Sequence, residues 1–153
     1  MARMSGGDAL VATLIEHGVT QAFTVPGESF LAVLEGLRRA RNGIRLVNAR
    51  HEGAAAFAAE AYGKIALRPA AVFVSRGPGA TNAAIGIHTA MQDSTPLLLF
   101  VGDVPRRVQD REAFQGVDYR RFFGAIAKAV IQPFAAEDVA EATARAWRTA
   151  MAG

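Results

Sequence analysis

The chain contains no cysteine in its 153 residues. That absence excludes a disulfide framework and a thiolate metal site. The three histidines, His17, His51 and His88, show no ligand spacing, so no metal is expected on this chain's own residues. Long apolar runs are also missing: none reaches the roughly 20 residues that a membrane span requires. The N-terminus lacks the charged-then-apolar layout of a secretion signal. A cytoplasmic protein with no membrane contact is the expectation. Tryptophan and tyrosine are scarce, at one and two residues. The formal charge of +3 therefore does not amount to a nucleic-acid surface, which interleaves bases with aromatics. Arg38, Arg39 and Arg41 gather at a helix end, where the macrodipole favours cations, and Arg106, Arg107 and Arg111 lie in a loop. Internal repeats and low-complexity tracts are absent as well.

What is present suits one packed domain: 51% of residues are hydrophobic and 20% charged. Helical and extended patterns alternate along the chain. Residues 5–17 read as a helix with Leu10, Val11, Leu14 and Ile15 on one face, a capping box at Ser5 and Asp8, and Gly18 as the stop. Residues 21–25 read as a strand ending at Pro26-Gly27. Residues 29–41 follow as a helix with Phe30, Leu31, Leu34 and Leu37 inward, then an Asn42-Gly43 turn. Strands are expected at 44–48, 70–74, 97–101 and 127–131. Helices are expected at 53–66, with Phe57, Ala61 and Ile65 aligned, at 80–92, with Ala84, Ile87 and Met91 aligned, and at 137–151. Residues 104–117 read as a long loop and 118–123 as a helical turn. The uninterrupted apolar run 70–74 is the mark of a strand covered on both faces. Strands separated by helices of this length predict a three-layer α/β/α domain with a mostly parallel sheet.

In such a sheet the carboxyl ends of the strands share one edge, where open α/β sheets build ligand sites. That edge carries Pro26, Gly27 and Glu28, then Glu52, then Gly77 to Asn82, then Gly102 and Asp103. Glu52 admits two readings. It is an acid in a helix first turn, favoured by the dipole, or a carboxyl in apolar surroundings whose raised pKa suits proton transfer. Glu28 is either a polar loop residue or a second acid/base group facing the same crevice. His51 reads as a packed or hydrogen-bonded residue. The turn Gly77-Pro78-Gly79 can cradle an anion, yet it departs from the dinucleotide fingerprint. It ends in Asn82, follows the third strand and loses an amide donor at Pro78. The plain alternative is a tight turn that lets backbone approach a neighbour. Asp103, at a strand end, can imitate a ribose-binding acid, which keeps a dinucleotide reading open.

Four segments occur in order: Val25-Pro26-Gly27, the run from Arg50-His51-Glu52-Gly53 to Tyr62, Ser75 to Asn82, and Ala113-Phe114-Gln115. Together they resemble the N-terminal, pyrimidine-binding domain of thiamine-diphosphate enzymes of the acetolactate synthase and 2-oxo acid decarboxylase group, a flavodoxin-like thiamine-diphosphate-binding fold. The resemblance covers nearly all of residues 1–153. It implies that Glu52 hydrogen-bonds ring nitrogen N1′ of the cofactor and promotes proton loss from the thiazolium carbon. It implies that Pro26, Gly27, Gly79 and Asn82 line the pyrimidine pocket, that Gln115 faces the reacting centre, and that Glu28 affects proton transfer to the intermediate. The implied substrate is a 2-oxo acid.

Two departures stand out. Arg76 replaces the usual Ser before Gly-Pro-Gly, and Gly116 follows Gln115 where synthases carry Glu. No Gly-Asp-Gly occurs, so the diphosphate and Mg²⁺ are expected on a further domain of the same or a partner subunit, and the chain reads as part of a longer enzyme. Self-association as a homodimer or higher is expected, with small-residue faces at Ala54 to Ala61, Ala83 and Ala84 suiting close helix contact. The isolated domain is expected to bind cofactor weakly and to be inactive. Other readings are a separate small subunit of a two-chain decarboxylase of sulfopyruvate or phosphonopyruvate type, and a non-catalytic nucleotide-binding module.

Overall fold

The computed structural model describes residues 4–153. Strands β1 (Gln21–Thr24), β2 (Arg45–Asn48), β3 (Ala70–Val74) and β4 (Leu97–Val101) form a parallel sheet in the order β2-β1-β3-β4. Helices α1 (Gly6–Glu16), α2 (Leu31–Arg39) and α6 (Val139–Met151) cover one face. Helices α3 (Glu52–Ala66), α4 (Pro78–Gln92) and α5 (Tyr119–Phe123) cover the other. The expected three-layer α/β/α architecture is present.

The alternation of side chains along a strand feeds both layers. In β3, Ala71 and Phe73 enter the α1–α2–α6 core beside Leu14 and Phe30. Ala70, Val72 and Val74 enter the other core beside Ala59, Ala83 and Ile87. Every residue of β3 is fully buried, as the apolar run predicts. Thr24 is buried too, and its hydroxyl donates to the Phe73 carbonyl at 2.8 Å, which ties β1 to β3 near the functional edge.

Two helix pairs approach closely because glycine leaves space for backbone. α1 meets α2 at Gly7, where an added Cβ would strike the Ala32 carbonyl. α3 meets α4 at Gly86, where a Cβ would lie 2.5 Å from that of Ala56. Ala55, Ala56, Ala59 and Ala83 are buried in this region.

Several sequence expectations are corrected. The capping box at Ser5 is present, with Asp8 N–H donating to Ser5 Oγ at 3.1 Å, but Ile15 faces solvent. α2 begins later than expected, after a 3₁₀ turn at Glu28–Phe30. That turn rotates Leu31 outward, to 62% exposure, while Phe30 stays buried. In α3 the aligned Phe57, Ala61 and Ile65 mark the solvent side, with Ile65 86% exposed. The inward stripe is alanine and glycine, because only small side chains fit the close α3–α4 approach. Of the small residues expected to suit self-association, Ala55, Ala56, Ala59 and Ala83 are thereby consumed within the fold, whereas Ala54 and Ala61 stay exposed. Met91 of α4 likewise faces solvent.

The largest correction is the expected strand at 127–131, which does not form. The amides of Ile126 and Ala127 both donate to Phe123 O, which curls the chain. Ile126, Ala127 and Val130 pack on the α3–α4–α5 core. A cavity of about 900 Å³, lined in part by Leu98, Phe100, Val130 and Ala146, separates the segment from β4. Apolar residues make a strand only where an edge is within hydrogen-bonding reach.

Buried Glu60 is paired at 2.8 Å with Lys64, which also meets Asp93 at the end of α4 at 2.5 Å. The Asp93 and Glu60 carboxylates push the Lys64 ammonium up to about 12. A raised lysine pKa contributes stability that is complete below the unfolded value of 10.5 and is lost as pH rises through about 12. Comparison of the chain with Lys64→Met by urea unfolding at several pH values will show a gap that narrows across that window and stays constant between neutral pH and its start. At the helix contact, Gly86→Val will lower stability by about 1–3 kcal/mol through overpacking, measured as a shift of the urea midpoint at constant slope.

Candidate functional site

The chain leaves β1 outward to β2 and then crosses back to β3 on the other side. The carboxyl ends of β1 and β3 therefore flank a topological switch point, the place where open α/β sheets leave a crevice. Helices α3 and α4 start on either side of it, and their first turns carry the candidate residues.

α3 opens on a side-chain cap. His51 holds an extended backbone, and its Nδ1 accepts from Gly53 N–H at 3.0 Å. This is the hydrogen-bonded role read for it, and it sets Glu52 as the first helical residue. α4 opens on Gly77 at φ +56°, a left-handed conformation suited to glycine, followed by Pro78, whose ring presets the helical φ where no amide donor is needed. Thr81 closes the turn by donating to the Gly77 and Pro78 carbonyls, at 2.9 Å each.

The close α3–α4 contact then joins two side chains from different turns. Asn82 Nδ2 donates to Glu52 Oε2 at 2.9 Å. A Cβ on Gly79 would lie 3.3 Å from Glu52 Oε1, so the bare α-carbon is what leaves that oxygen its space. Among the described residues Oε1 receives no hydrogen bond and Glu52 makes no ion pair. Gly27 lies against Ser75, where a Cβ would come within 2.9 Å. Glu52, Gly79 and Asn82 thus converge, with Gly27 seated on the adjoining β3 turn. Pro26 sits apart, on a groove shared with Leu34 and Leu37 of α2 and Leu46 of β2.

The apolar enclosure expected around Glu52 is not supplied by this chain. Glu52 is only partly buried and Asn82 is exposed. Both stand at helix N-termini on the rim of the sheet, where the fold provides a single wall. A cavity of about 900 Å³ lies instead at the free side of β4. Glu28 is 74% exposed and pairs at 2.9 Å with Arg76, whose side chain is only 14% exposed. Gln115 is partly buried, with its carbonyl 2.7 Å from where a Gly77 Cβ would be. Asp103 accepts from Val104 N–H, Gln109 and Gln132 and organises the loop after β4. Among the described residues no cluster of histidine and acids could hold a metal, and no helix is long and apolar enough to cross a membrane.

Sequence reasoning missed three residues here. Tyr119 Oη accepts from Gly77 N–H at 2.9 Å, and burial pushes its phenol pKa up. Ser29 and Ser75 share a hydroxyl hydrogen bond at 2.9 Å. The one available signal was for Tyr119, an isolated tyrosine beyond the long loop in a chain with only two.

Residues 4–122 match the family described as thiamine pyrophosphate enzyme, N-terminal TPP binding domain. The chain belongs to this family. An acetolactate synthase of Bacillus subtilis is 35% identical over 148 residues, which cover 97% of this chain and 26% of that protein. Acetolactate synthase 3, chloroplastic, of Brassica napus is 41% identical over 110 residues, 72% of this chain and 17% of its own length. An acetolactate synthase of Arthrospira platensis is 38% identical over 118 residues, 76% of this chain and 20% of its own. The chain therefore spans about a quarter or less of these relatives. It is an acetolactate synthase-like N-terminal domain of a thiamine pyrophosphate enzyme.

The residues of this thiamine pyrophosphate domain fit a flat heteroaromatic ring. One carboxyl oxygen is fixed by Asn82 and the other is clear, and the adjacent Gly79 presents no side chain to the same space.

Proposed function

We propose that this domain holds the aminopyrimidine end of thiamine diphosphate in an enzyme that decarboxylates a 2-oxo acid and passes the fragment to an acceptor or a proton. The observation that carries the proposal is the Glu52–Asn82 pair at the switch point, with one carboxyl oxygen clear beside Gly79. When bound, the cofactor supplies the electron sink for loss of carbon dioxide.

The chain's own residues bind, orient and manage protons. Glu52 hydrogen-bonds the ring nitrogen through its clear oxygen and shares a proton with it. Asn82 keeps the carboxyl in one orientation, so that the proton stays at Oε1. Gly79 and Gly27 let the ring approach backbone closely. Gln115 and Glu28 stand outside the cofactor contact and act on the substrate side, where Glu28 influences proton delivery. The one-sided rim requires a second wall, which a diphosphate- and Mg²⁺-binding domain of the same or a partner subunit provides, with the enzyme at least a homodimer. Closing that wall over Glu52 excludes water and strengthens the hydrogen bond to the ring. Binding by this domain alone is weak, and it turns nothing over.

In the full-length enzyme, Glu52→Gln will slow hydrogen–deuterium exchange at the thiazolium carbon by about 10²- to 10⁴-fold, the usual size of a general acid–base contribution, while thiamine diphosphate still binds. Exchange at the wild-type rate would remove Glu52 from this role.

A further inference from the structure

Arg76 precedes the turn Gly77-Pro78-Gly79, and its surroundings are built. Its Nη2 donates to Glu28 Oε1 at 2.9 Å, and its Nε donates to the Phe114 carbonyl at 3.2 Å. Its backbone N–H donates to Ser29 Oγ at 3.3 Å, so the base of the side chain is fixed as well. The guanidinium is largely covered although its acidic partner is exposed. One planar fork thus reaches two segments at once, the 3₁₀ turn after β1 and the long loop after β4. Lysine, with a single point of charge, cannot reproduce that geometry.

The loop end that Arg76 grips is strained. Gln115, the residue after Phe114, stands at φ +61°, and Glu112 and Asp110 stand at +51° and +60°. Non-glycine residues hold such conformations only where surrounding contacts fix them. The Phe114 side chain is not that contact, since the residue is 74% exposed. Within the stretch Gly116 N–H donates to the Ala113 carbonyl at 2.8 Å, and its fastenings to the rest of the fold include the Arg76 bond to the Phe114 carbonyl and the seat of Gln115 on Gly77, whose N–H donates to Tyr119 Oη.

We propose that Arg76 is a positioning residue that couples Glu28 and Gln115. It holds the exposed carboxylate and the strained loop end against the same glycine turn, so that both substrate-side groups keep a fixed relation to Glu52. Its consequence for turnover rests on the function proposed above; the coupling itself does not.

The test uses the full-length enzyme without cofactor, followed by amide hydrogen exchange in residues 112–117, and then with thiamine diphosphate and a 2-oxo acid. Arg76→Ala will raise exchange in 112–117 about tenfold or more, the size expected for loss of a charge-assisted hydrogen bond. Exchange in α3 and α4, the melting temperature and thiamine diphosphate affinity will stay near wild type. With substrate, kcat will fall more than KM rises. Arg76→Lys keeps a cation for Glu28 but loses the Nε donor, so it will show the same loosening of 112–117. It decides the matter if the alanine variant fails to fold. Unchanged exchange of 112–117 in both variants would overturn the coupling. A general loss of stability with weakened cofactor binding would overturn it as well, by assigning Arg76 a merely structural role. Failure of the Glu52 exchange experiment with loosened 112–117 here would sink the cofactor reading and leave the coupling standing.

Discussion

The site depends on how closely α3 can approach α4. At Gly86 and Ala56 the two helices are separated by little more than backbone, and the alanines beside them are fully buried. Any larger side chain there would spread the helices and separate their first turns. Because the helices stay close, Glu52 and Asn82 meet although they begin different helices after different strands. A helix N-terminus is already suited to an acidic group. Here two such termini face one another across the end of β1, and the sheet order places them at its switch point.

Around this pair the chain arranges a second tier of groups, Glu28 and Gln115, with a comparable degree of burial. Glu28 and Gln115 come from opposite sides of the sheet order and meet the glycine turn through Arg76, Ser29 and Tyr119. The contrast between the tiers has a physical sense. Glu52 stands at a helix start whose place is set by core packing, which is rigid. Glu28 and Gln115 are set by hydrogen bonds that involve an exposed loop, which are more readily remodelled.

Much of the fold was legible in the sequence. The capping box at Ser5, the apolar run of β3 and the glycine-proline turn before α4 are local signals, each complete within a few residues. Glu52 and Asn82 were legible as candidates through the turn chemistry around them and the family resemblance of their motifs. Other readings failed where the signal was not local. Phe57, Ala61 and Ile65 align at helical spacing, yet they face solvent, because the inward side of α3 was chosen by α4 and admits only small residues. Residues 127–131 have strand composition, yet they form no ladder with β4 and the chain curls back on Phe123 instead.

The sequence by itself determined the alternation of strands and helices, the parallel three-layer class, and the presence of a carboxylate and a glycine-rich turn at the carboxyl edge. These follow from periodicity, capping and backbone φ preferences, which act between near neighbours in the chain. Only the tertiary structure decided that Asn82 holds one oxygen of a residue 30 positions away, and that Arg76 spans 48 positions to Glu28 and 38 to Phe114. It alone decided that the rim beside Glu52 is open. Such contacts depend on interhelical distance and on which side chains fill the space between layers, and that is fixed only when the whole core is packed.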